Sequence, residues 1–505
     1  MIKQLESTEF TNCLAPIEDL PSTDINPDFD NCTIPKNIFS NPKNGVESVP
    51  HTEILIRLLE TTQMIDFKEL VVVNNGEESV TKNHYQICCV EQVLKNAKGY
   101  NWDICRHLDS IYLYNGSYWS SIDSKKFQKF LGEAAEKMGV NRYIARHFTF
   151  REQLYKQFLS ASMIPRPDNN SDEVFINLQN GTFEIGPQKQ SLRKPDCKDF
   201  ITYQLDFDYN PEAISPLFFE YLNKVLPDIE LQYILAEYLA YVFIKPSTLK
   251  LEKTLLLYGT GANGKSVFFE IVNALLGSEN VSSYSLTSLT NESGYQRAKI
   301  ADKLLNYASE INGKLETSIF KQLVSGEPVE ARLPYGNPFT LTNYAKLIFN
   351  CNELPKEVEQ TQAYFRRFLI VPFSVEIPEN EQDKELSKKI IDNELSGIFN
   401  WVLIGLNRLL TQKNFTKSKA VSDQIEQYKK QSDSVLMFLE DEGFEKTQND
   451  LMGFKDLFDL YIKYCRESRC HSISKKVFGD KLRKAGYVIA RMNYGMVVYV
   501  NKISF

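Results

Sequence analysis

The sequence lacks several features that would each assign it to a class. Its nine cysteines include no Cys-x-x-Cys pair, so neither a disulfide framework nor a four-cysteine zinc site is indicated. No apolar run reaches the ~20 residues needed to span a bilayer, and the best, residues 233–244, is interrupted by Glu237. The opening residues also lack the apolar stretch of a secretory signal. These absences predict a cytoplasmic location, reduced thiols and no membrane partner.

Positive charge is in slight deficit overall, since 58 Lys and Arg stand against 65 Asp and Glu, a formal net charge of -7. The distribution is uneven, however. Residues 446–505 carry 12 Lys and Arg against 5 Asp and Glu, whereas residues 1–445 carry 46 against 60. A basic end on an acidic body is typical of a localised phosphate-binding surface, although a solvated charged face would give the same pattern.

A chain of 505 residues is too long to fold around a single hydrophobic core. About three or four domains of roughly 100–200 residues each are expected. We divide the chain into a partly irregular region (1–99), a mixed α+β domain (100–245), an α/β domain (246–412), a polar linker (413–434) and a basic domain (435–505). Two Asn-Gly dipeptides, at 115–116 and 180–181, lie between β-prone runs and predict tight hairpins in the second region.

Residues 254–277 combine a short apolar run, a glycine-rich loop and a helical segment closed by Gly277. The loop reads GTGANGKS and fits G-x-x-x-x-G-K-[ST] in the strand, loop and helix context that this motif requires. The glycines let backbone N–H groups turn towards phosphates, the lysine reaches the β- and γ-phosphates, and the serine hydroxyl can ligate Mg²⁺. We therefore predict a catalytic Lys265 and an ATP site made of Gly259, Thr260, Gly261, Ala262, Asn263, Gly264, Lys265, Ser266 and Val267.

The same glycines also spell G-x-G-x-x-G, which is the fingerprint of dinucleotide-binding folds. That interpretation needs an acidic residue at a strand end about 20 residues further on. The chain has only the polar residues 281–288 there, VSSYSLTS. A dinucleotide site would also leave Lys265 and Ser266 unexplained, so we favour a nucleoside triphosphate.

Polar side chains end two further apolar runs downstream of this loop. Glu310 ends the run 303–310, where it could orient the water that attacks the γ-phosphate and, with Ser266, hold Mg²⁺. Asn352 ends the next run and is suited to hold that water or the γ-phosphate from the opposite side. Arg366 and Arg367 precede a third run, and one arginine supplied to a neighbouring subunit would stabilise the transition state. Surface ion pairs are the alternative for both arginines.

From about residue 100 to the end, the chain resembles the superfamily 3 helicases of the phage and plasmid primase family, which is related to the poxvirus primase-helicase. The matching segments are YNGSYW, INLQNGTFEI, FDYNPEAISPLFFEYL, GTGANGKS, YASEING, KQLVSGEPVEARLPYG, LIFNCNELP and YFRRFLIVPF. The resemblance implies an α/β fold with an AAA+-type P-loop NTPase core, six subunits in a closed ring, and translocation on single-stranded DNA. It maps the arginine finger to Arg366 or Arg367, of which we favour Arg366.

In such helicases, the region corresponding to 321–339 is a hairpin that lines the ring's channel and grips DNA. The resemblance therefore marks Arg332, Tyr335 and Asn337 as DNA-binding candidates, since a basic residue can follow phosphates while an aromatic ring stacks on bases. An ordinary turn is the alternative. The sequence departs from the family at Ser309, where many related ATPases have Asp, and in a hairpin tip that lacks Lys or His. The ~100 residues before the match are too few for the family's primase domain, so we expect no primer synthesis and a separate primase or polymerase as partner.

The basic C-terminal region reads as a helix (453–467), a second helix (474–485) and a hairpin that turns at 493–495. This order suits a winged helix that lays its second helix on DNA, whereas a solvated helix that binds acidic proteins is the alternative. Val477, Phe478, Leu482 and Ala485 are expected to face inward. The DNA-binding candidates on this helix are Lys475, Lys476, Lys481, Arg483 and Lys484.

These features together predict an ATP- and Mg²⁺-dependent replicative DNA helicase of a phage, plasmid or mobile element, acting on single-stranded and forked DNA. A replication initiator or loader that uses ATP without processive unwinding is one alternative. A P-loop enzyme acting on a small metabolite is another, and its activity would be indifferent to DNA.

Overall fold

The computed structural model describes residues 49–75, 80–107, 110–162, 173–186, 189–309, 311, 315–355, 358–468 and 470–502. Most of the segment predicted to be irregular, and the predicted catalytic Glu310, lie outside the described residues. The chain divides into two compact units. Unit 1 comprises residues 1–169, 181–183 and 192–204, and unit 2 comprises residues 170–180, 184–191 and 205–505.

Unit 1 is a helical cluster with a small antiparallel sheet. Its elements are α1 (His51–Thr61), α2 (Phe67–Asn75), α3 (Lys82–Gly99), β1 (Asp103–His107), β2 (Ser110–Tyr114), β3 (Trp119–Ile122), α4 (Ser124–Lys137), α5 (Arg142–Ala145) and α6 (Phe148–Ala161). The first Asn-Gly dipeptide turns the chain between β2 and β3, and the Asn115 side chain accepts bonds from the Ser117 and Tyr118 amides at 2.9 Å each. Phe127, Leu154 and Phe158 are fully buried and form the centre of the core.

A second three-stranded sheet has the order β4-β5-β6. Its strands are β4 (Val174–Leu178), β5 (Gly181–Gly186) and β6 (Lys189–Arg193). The second Asn-Gly dipeptide lies between β4 and β5, as the hairpin prediction requires. The residues of this sheet are assigned partly to unit 1 and partly to unit 2.

Unit 2 contains a parallel sheet with the order β13-β7-β12-β9-β8. Its strands are β7 (Thr254–Tyr258), β8 (Val281–Ser282), β9 (Leu305–Ala308), β12 (Lys346–Cys351) and β13 (Phe368–Pro372). The central strands are almost continuously apolar and buried, as is typical of parallel strands covered on both faces. The prediction of a mixed α/β fold is confirmed for this part of the chain.

Helices cover this sheet, and a separate hairpin lies between β9 and β12 in the chain. The elements are α7 (Pro216–Val225), α8 (Ile229–Tyr241), α9 (Lys265–Leu276), α10 (Leu286–Thr290), α11 (Thr317–Ser325), β10 (Val329–Arg332), β11 (Pro338–Leu341), α12 (Gln362–Phe365) and α13 (Leu386–Gln412). The long helix α13 packs tightly on α8, because a Cβ at Gly405 would lie 2.4 Å from a backbone carbon of Ala236. The fully buried Glu237 of α8 accepts bonds from Arg408 at 3.1 Å and Gln412 at 2.7 Å, so its charge is paired.

In place of the polar linker expected at 413–434, the structure has helix α14 (Lys419–Gln431). Its apolar positions Val421, Ile425 and Tyr428 recur at helical spacing. Tyr428 is buried against Phe365 at a ring-centroid distance of 5.4 Å, and its hydroxyl donates to the Pro355 carbonyl at 3.0 Å. The helix packs through only a few apolar side chains. The composition of the segment is therefore mostly polar, and for that reason it predicted a linker.

The C-terminal end of unit 2 has its own core. It consists of α15 (Ser434–Asp441), β14 (Phe444–Gly453), α16 (Phe454–Glu467), α17 (Lys475–Lys484), β15 (Ile489–Met492) and β16 (Gly495–Lys502), with an antiparallel sheet of order β14-β16-β15. Phe478 and Leu482 are fully buried, but Val477 is exposed, so the expectation that it faces inward was wrong. Val477 lies about 100° around the helix from Phe478 and therefore off the buried stripe.

None of the helices in the described part of the chain is long and apolar enough to cross a membrane.

Candidate nucleotide-binding site

The carboxyl ends of three adjacent parallel strands bring the glycine-rich loop, Asn352 and Ser309 to one edge of the sheet. β7 ends at Tyr258 and leads into the glycine-rich loop, β12 leads into Asn352, and β9 leads into Ser309. The Gly259 amide donates to the Cys351 carbonyl at 3.1 Å, which ties the start of the loop to the end of β12. Asn352 and Ser309 are both exposed at this edge. Glu310 follows Ser309 directly but lies outside the described residues.

At two of its three glycines, Gly259 and Gly264, the loop 259–264 has no room for a side chain. A Cβ at Gly259 would lie 2.4 Å from the Phe373 carbonyl oxygen, and one at Gly264 would lie 2.7 Å from Val225 Cγ1. Gly264 also has a φ of +85°, which favours glycine, and its carbonyl accepts a bond from the Tyr221 hydroxyl at 2.9 Å. Helix α9 begins at the next residue, so its free N–H groups and positive dipole end face the loop.

Lys265 is buried at the centre of this loop, with 6% of its surface exposed. Its Nζ donates to the Gly259 carbonyl at 2.7 Å and to Asn263 Oδ1 at 2.9 Å, and Asn263 donates in turn to the Phe373 carbonyl at 3.1 Å. Burial lowers the pKa of Lys265, because the charged form loses solvation. Both acceptors are uncharged oxygens, so this ammonium group would be stabilised by an anion such as a phosphate.

The other residues of the predicted nucleotide site differ in exposure. Thr260, Gly261, Ala262 and Ser266 are exposed, whereas Val267 is half-buried. The Ala262 carbonyl accepts a bond from the Ile377 amide at 2.8 Å, which fixes the loop to the segment after β13. The exposed Ser266 hydroxyl next to the buried ammonium fits the role of a metal ligand in this motif.

Arg366 and Arg367 lie at the opposite edge of the sheet. They immediately precede β13, which runs parallel to β7 for five residues, so the strand separates them from their own loop by roughly 16 Å. The Arg366 side chain is 57% exposed and pairs with Glu252 at 3.1 Å. The Arg367 side chain is only 9% exposed and donates to the Ala363 carbonyl and to Ser325 Oγ, the latter at 3.2 Å. The two adjacent arginines therefore have different environments.

A buried polar pair between β9 and β12 was not anticipated from the sequence. The Tyr307 hydroxyl donates to Asn350 Oδ1 at 2.9 Å, and both side chains are buried. This bond joins the two strands that carry Ser309 and Asn352. The signal was the presence of polar residues inside two mainly apolar runs, since a polar side chain in a buried strand needs a partner.

The hairpin of β10 and β11 presents its tip to solvent. Tyr335 is 104% exposed and has a φ of +61°, and Asn337 is exposed beside it. Arg332 is also exposed, but its Nε donates to the Gly336 carbonyl at 2.9 Å and so closes the turn. Leu333 and Phe339 are exposed apolar residues of the same tip that the sequence analysis did not single out.

A buried arginine outside the hairpin holds its base. Arg297 donates through Nε to the Glu330 carbonyl at 2.7 Å and through Nη1 to the Leu289 carbonyl at 2.9 Å. Burial lowers the pKa of Arg297, although a guanidinium remains charged. The hairpin is thereby fixed to the segment that follows β8.

The basic helix α17 divides its cations between solvent and the interior. The exposed ones are Lys475, Lys476, Arg483 and Lys484. Lys481 instead pairs with Asp433 at 2.7 Å, and Asp433 caps the N-terminus of α15 by accepting a bond from the Val435 amide at 2.9 Å. Lys481 therefore serves the packing of this domain, which separates it from the four exposed candidates.

Two family models match parts of the chain. Residues 91–227 match the family described as "D5 N terminal like", and residues 257–367 match a family of unknown function, DUF5906. The second match begins in β7 and ends at Arg367, so it contains the glycine-rich loop and both arginines.

Two viral proteins and one solved structure are similar to the chain. "Putative helicase L207/L206" of Acanthamoeba polyphaga mimivirus is 25% identical over 254 residues, which are 48% of this chain and 26% of that protein. "Putative helicase 121R" of Invertebrate iridescent virus 3 is 23% identical over 341 residues, 58% of this chain and 35% of that protein. The apo structure of the NrS-1 C terminal region is 14% identical with a TM-score of 0.47, covering 83% of this chain and 99% of that one.

The chain is thus similar over residues 91–227 to the D5-type family, and it is also similar to two viral proteins that are named putative helicases. The chain spans about a quarter and about a third of the length of these two relatives.

Proposed function

We propose that this chain is an ATP-dependent DNA helicase motor with an AAA+-type P-loop core. The observation that carries this proposal is Lys265, a buried ammonium group held by two uncharged oxygens between the end of β7 and the start of α9. A nucleoside triphosphate supplies the missing negative charge, and its β- and γ-phosphates would displace the Gly259 carbonyl from Lys265. The names of the two viral relatives and the D5-type match support helicase function in DNA replication.

Each residue at this edge has a distinct task in the proposed hydrolysis. Lys265 binds the phosphates, while Asn352, which follows β12, and Glu310 are proposed to orient the attacking water. Ser266 and Glu310 would hold Mg²⁺, which neutralises charge on the β- and γ-phosphate oxygens when bound. Asn263 stays bonded to the Phe373 carbonyl and keeps the loop in shape when Lys265 turns to the nucleotide.

The position of Arg366 supports assembly into a ring, proposed to contain six subunits. Arg366 lies at the sheet edge opposite its own loop, so it can serve only the nucleotide of a neighbouring subunit. A repeated head-to-tail contact of this kind closes into a ring when its rotation allows. Arg366 would leave Glu252 to reach the neighbour's γ-phosphate.

Two surfaces of unit 2 are proposed to contact single-stranded and forked DNA. In the hairpin, Tyr335 would stack on bases while Arg332 and Asn337 bind the backbone. The C-terminal end has the order of helix, helix and hairpin with exposed cations on the second helix, which supports a winged helix. A separate primase or polymerase is the partner that we propose for primer synthesis, and a phage, plasmid or other mobile element is the proposed origin.

DNA-stimulated ATP hydrolysis by the wild type, Lys265→Ala and the control Lys388→Ala tests this proposal. Lys388 is exposed on α13, so its loss should change nothing. We expect Lys265→Ala to lose turnover by about a hundredfold or more, since the phosphates lose their only buried cation from this motif. Normal turnover by Lys265→Ala would refute the nucleotide site. A forked substrate separates helicase from loader, because a loader hydrolyses ATP and releases no strand.

A further inference from the structure

Unit 1 carries an exposed basic and aromatic surface that the proposed ATPase does not use. We call it the α5–α6 patch, and it consists of Arg142, Tyr143, Arg146, His147 and Phe148. Tyr143 is 85% exposed and Phe148 is 73% exposed. Exposed apolar surface that is surrounded by polar residues is a feature of interaction sites.

The backbone under the patch is well anchored, so its exposure does not reflect loose packing. Ala145, which lies between the exposed residues, is fully buried, and Phe150, which follows them, is nearly so. The Asn141 side chain accepts a bond from the Tyr143 amide at 3.0 Å and caps α5. The His147 ring lies 4.9 Å from the Phe148 ring, which limits the orientations open to Phe148.

The patch has an excess of positive charge that its own carboxylate does not neutralise. Arg146 forms two bonds to Glu136, at 2.8 and 3.0 Å, and Arg142 lies 3.9 Å from the same carboxylate. The hydrogen bond from Arg146, with the charges of Arg142 and Arg151, lowers the pKa of Glu136. Glu133 also lies near enough to Arg146 to raise its pKa, yet residues 133–156 still carry five Lys and Arg against three Glu.

We propose that the α5–α6 patch binds single-stranded nucleic acid. Arg142 and Arg146 would contact phosphates, and Tyr143 and Phe148 would stack on unpaired bases. Stacking needs bases that are free of a duplex, so exposed rings favour a single strand over double-stranded DNA. This inference goes beyond the proposed motor, because the patch lies in the other unit and its chemistry requires no nucleotide hydrolysis.

Equilibrium binding of a mixed-sequence single-stranded DNA oligonucleotide by the full chain, without ATP, tests the patch. We expect Tyr143→Ala/Phe148→Ala to weaken binding about thirtyfold or more, because the double variant loses two base-stacking contacts. Arg142→Gln should weaken it about threefold and reduce the slope of log affinity against log salt by about 1. The matched controls are Tyr100→Ala, an exposed aromatic residue of the same unit, and Lys129→Gln, a cation as exposed as Arg142.

Photo-cross-linking to an oligonucleotide that carries 5-bromodeoxyuridine locates the contact. A cross-link to Tyr143 or Phe148 is expected. The proposal is overturned if the patch variants bind like the controls and cross-links arise only elsewhere. It is equally overturned if the variants change the oligomer mass or the binding of an acidic protein while DNA binding is unchanged. The Lys265→Ala variant retains the α5–α6 patch. Its loss of ATP turnover therefore tests the proposed nucleotide site, whereas loss of DNA binding by the patch variants tests the proposed patch.

Discussion

Arg366 and Arg367 are adjacent and chemically identical, yet they should respond differently to the same substitution. Arg366 is exposed and touches one carboxylate, so Arg366→Ala should leave the thermal midpoint unchanged while ATP turnover falls about 10³-fold, as for other transition-state arginines. Arg367→Ala should lower the free energy of unfolding by about 1–3 kcal/mol, because the part-buried Ala363 carbonyl and the buried Ser325 hydroxyl lose their donor. Thermal melts and steady-state ATPase assays on both variants measure these effects. The opposite pattern would transfer the finger role to Arg367.

Lys346 has a stability effect that depends on pH. Its ammonium group lies 4.2 Å above the Tyr241 ring, and burial lowers its pKa from 10.5 to about 8. Below pH 8 the lysine is charged in both the folded and the unfolded states, so the folded state bears the full desolvation penalty. Between pH 8 and 10.5 the folded state releases its proton first, and the penalty fades as pH rises.

We therefore expect Lys346→Met to raise the free energy of unfolding at pH 7 by about 1–2 kcal/mol. This is the penalty of about 3 kcal/mol implied by the pKa, reduced by the lost cation–π contact. The advantage over the wild type should shrink towards pH 10. Denaturant unfolding at pH 7 and at pH 10 measures it, with the exposed Lys388→Met as control. If the stability gain of Lys346→Met over the wild type grew with pH, the lowered pKa of Lys346 would be contradicted.

Single residues of the nucleotide site could be predicted where one local motif determines them. The loop around Lys265 needs glycines and a lysine within eight positions, and the structure places it between a strand and a helix, as predicted. Lys481 could not be separated from its basic neighbours, because its partner Asp433 is distant in sequence and was assigned to a linker. Asn350 and Tyr307 were missed for the same reason, since each finds its partner on another strand.

At the scale of elements, the hairpin of β10 and β11 depends on a residue that belongs to neither strand. Arg297→Met should lower the free energy of unfolding by about 2 kcal/mol or more, because the carbonyls of Leu289 and Glu330 lose a charged donor in a buried site. It should also free the hairpin and speed chymotrypsin cleavage after Tyr335. Denaturant unfolding and limited proteolysis measure these effects, and Lys299→Met, an exposed cation two residues away, is the control. Cleavage at the wild-type rate would exclude Arg297 as the anchor.

The elements that could be predicted are those with a strong apolar period or a turn dipeptide. The mainly apolar runs at β7, β9, β12 and β13 are all strands. α14 was missed because only three apolar side chains, at helical spacing, carry its packing within a highly polar segment. β14 was missed because most of its residues are exposed and polar. The sequence therefore has no apolar pattern there that would predict a strand paired with β16.

At the scale of the whole molecule, the direction of the parallel strands separates the loop from the arginine. The connections between parallel strands bring the chain back to the edge where the strands begin. All strands of the sheet therefore start at one edge and end at the opposite edge. Gly259 follows a strand and Arg366 precedes one. One subunit alone therefore cannot complete the proposed catalytic site, and activity should depend on assembly.

Mixing two inactive proteins tests this dependence directly. The Lys265→Ala subunit retains Arg366, and the Arg366→Ala subunit retains an intact glycine-rich loop. An interface in which the first subunit presents Arg366 to the loop of the second therefore has both groups. In an equal mixture, about one interface in four meets this condition, and we expect up to about a quarter of wild-type DNA-stimulated turnover. The control mixture of Arg366→Ala with Lys265→Ala/Arg366→Ala has no competent interface and should stay inactive. If differently tagged subunits co-purify as mixed rings of the expected mass and turnover still remains at the level of this control, then Arg366 does not act on a neighbour's nucleotide.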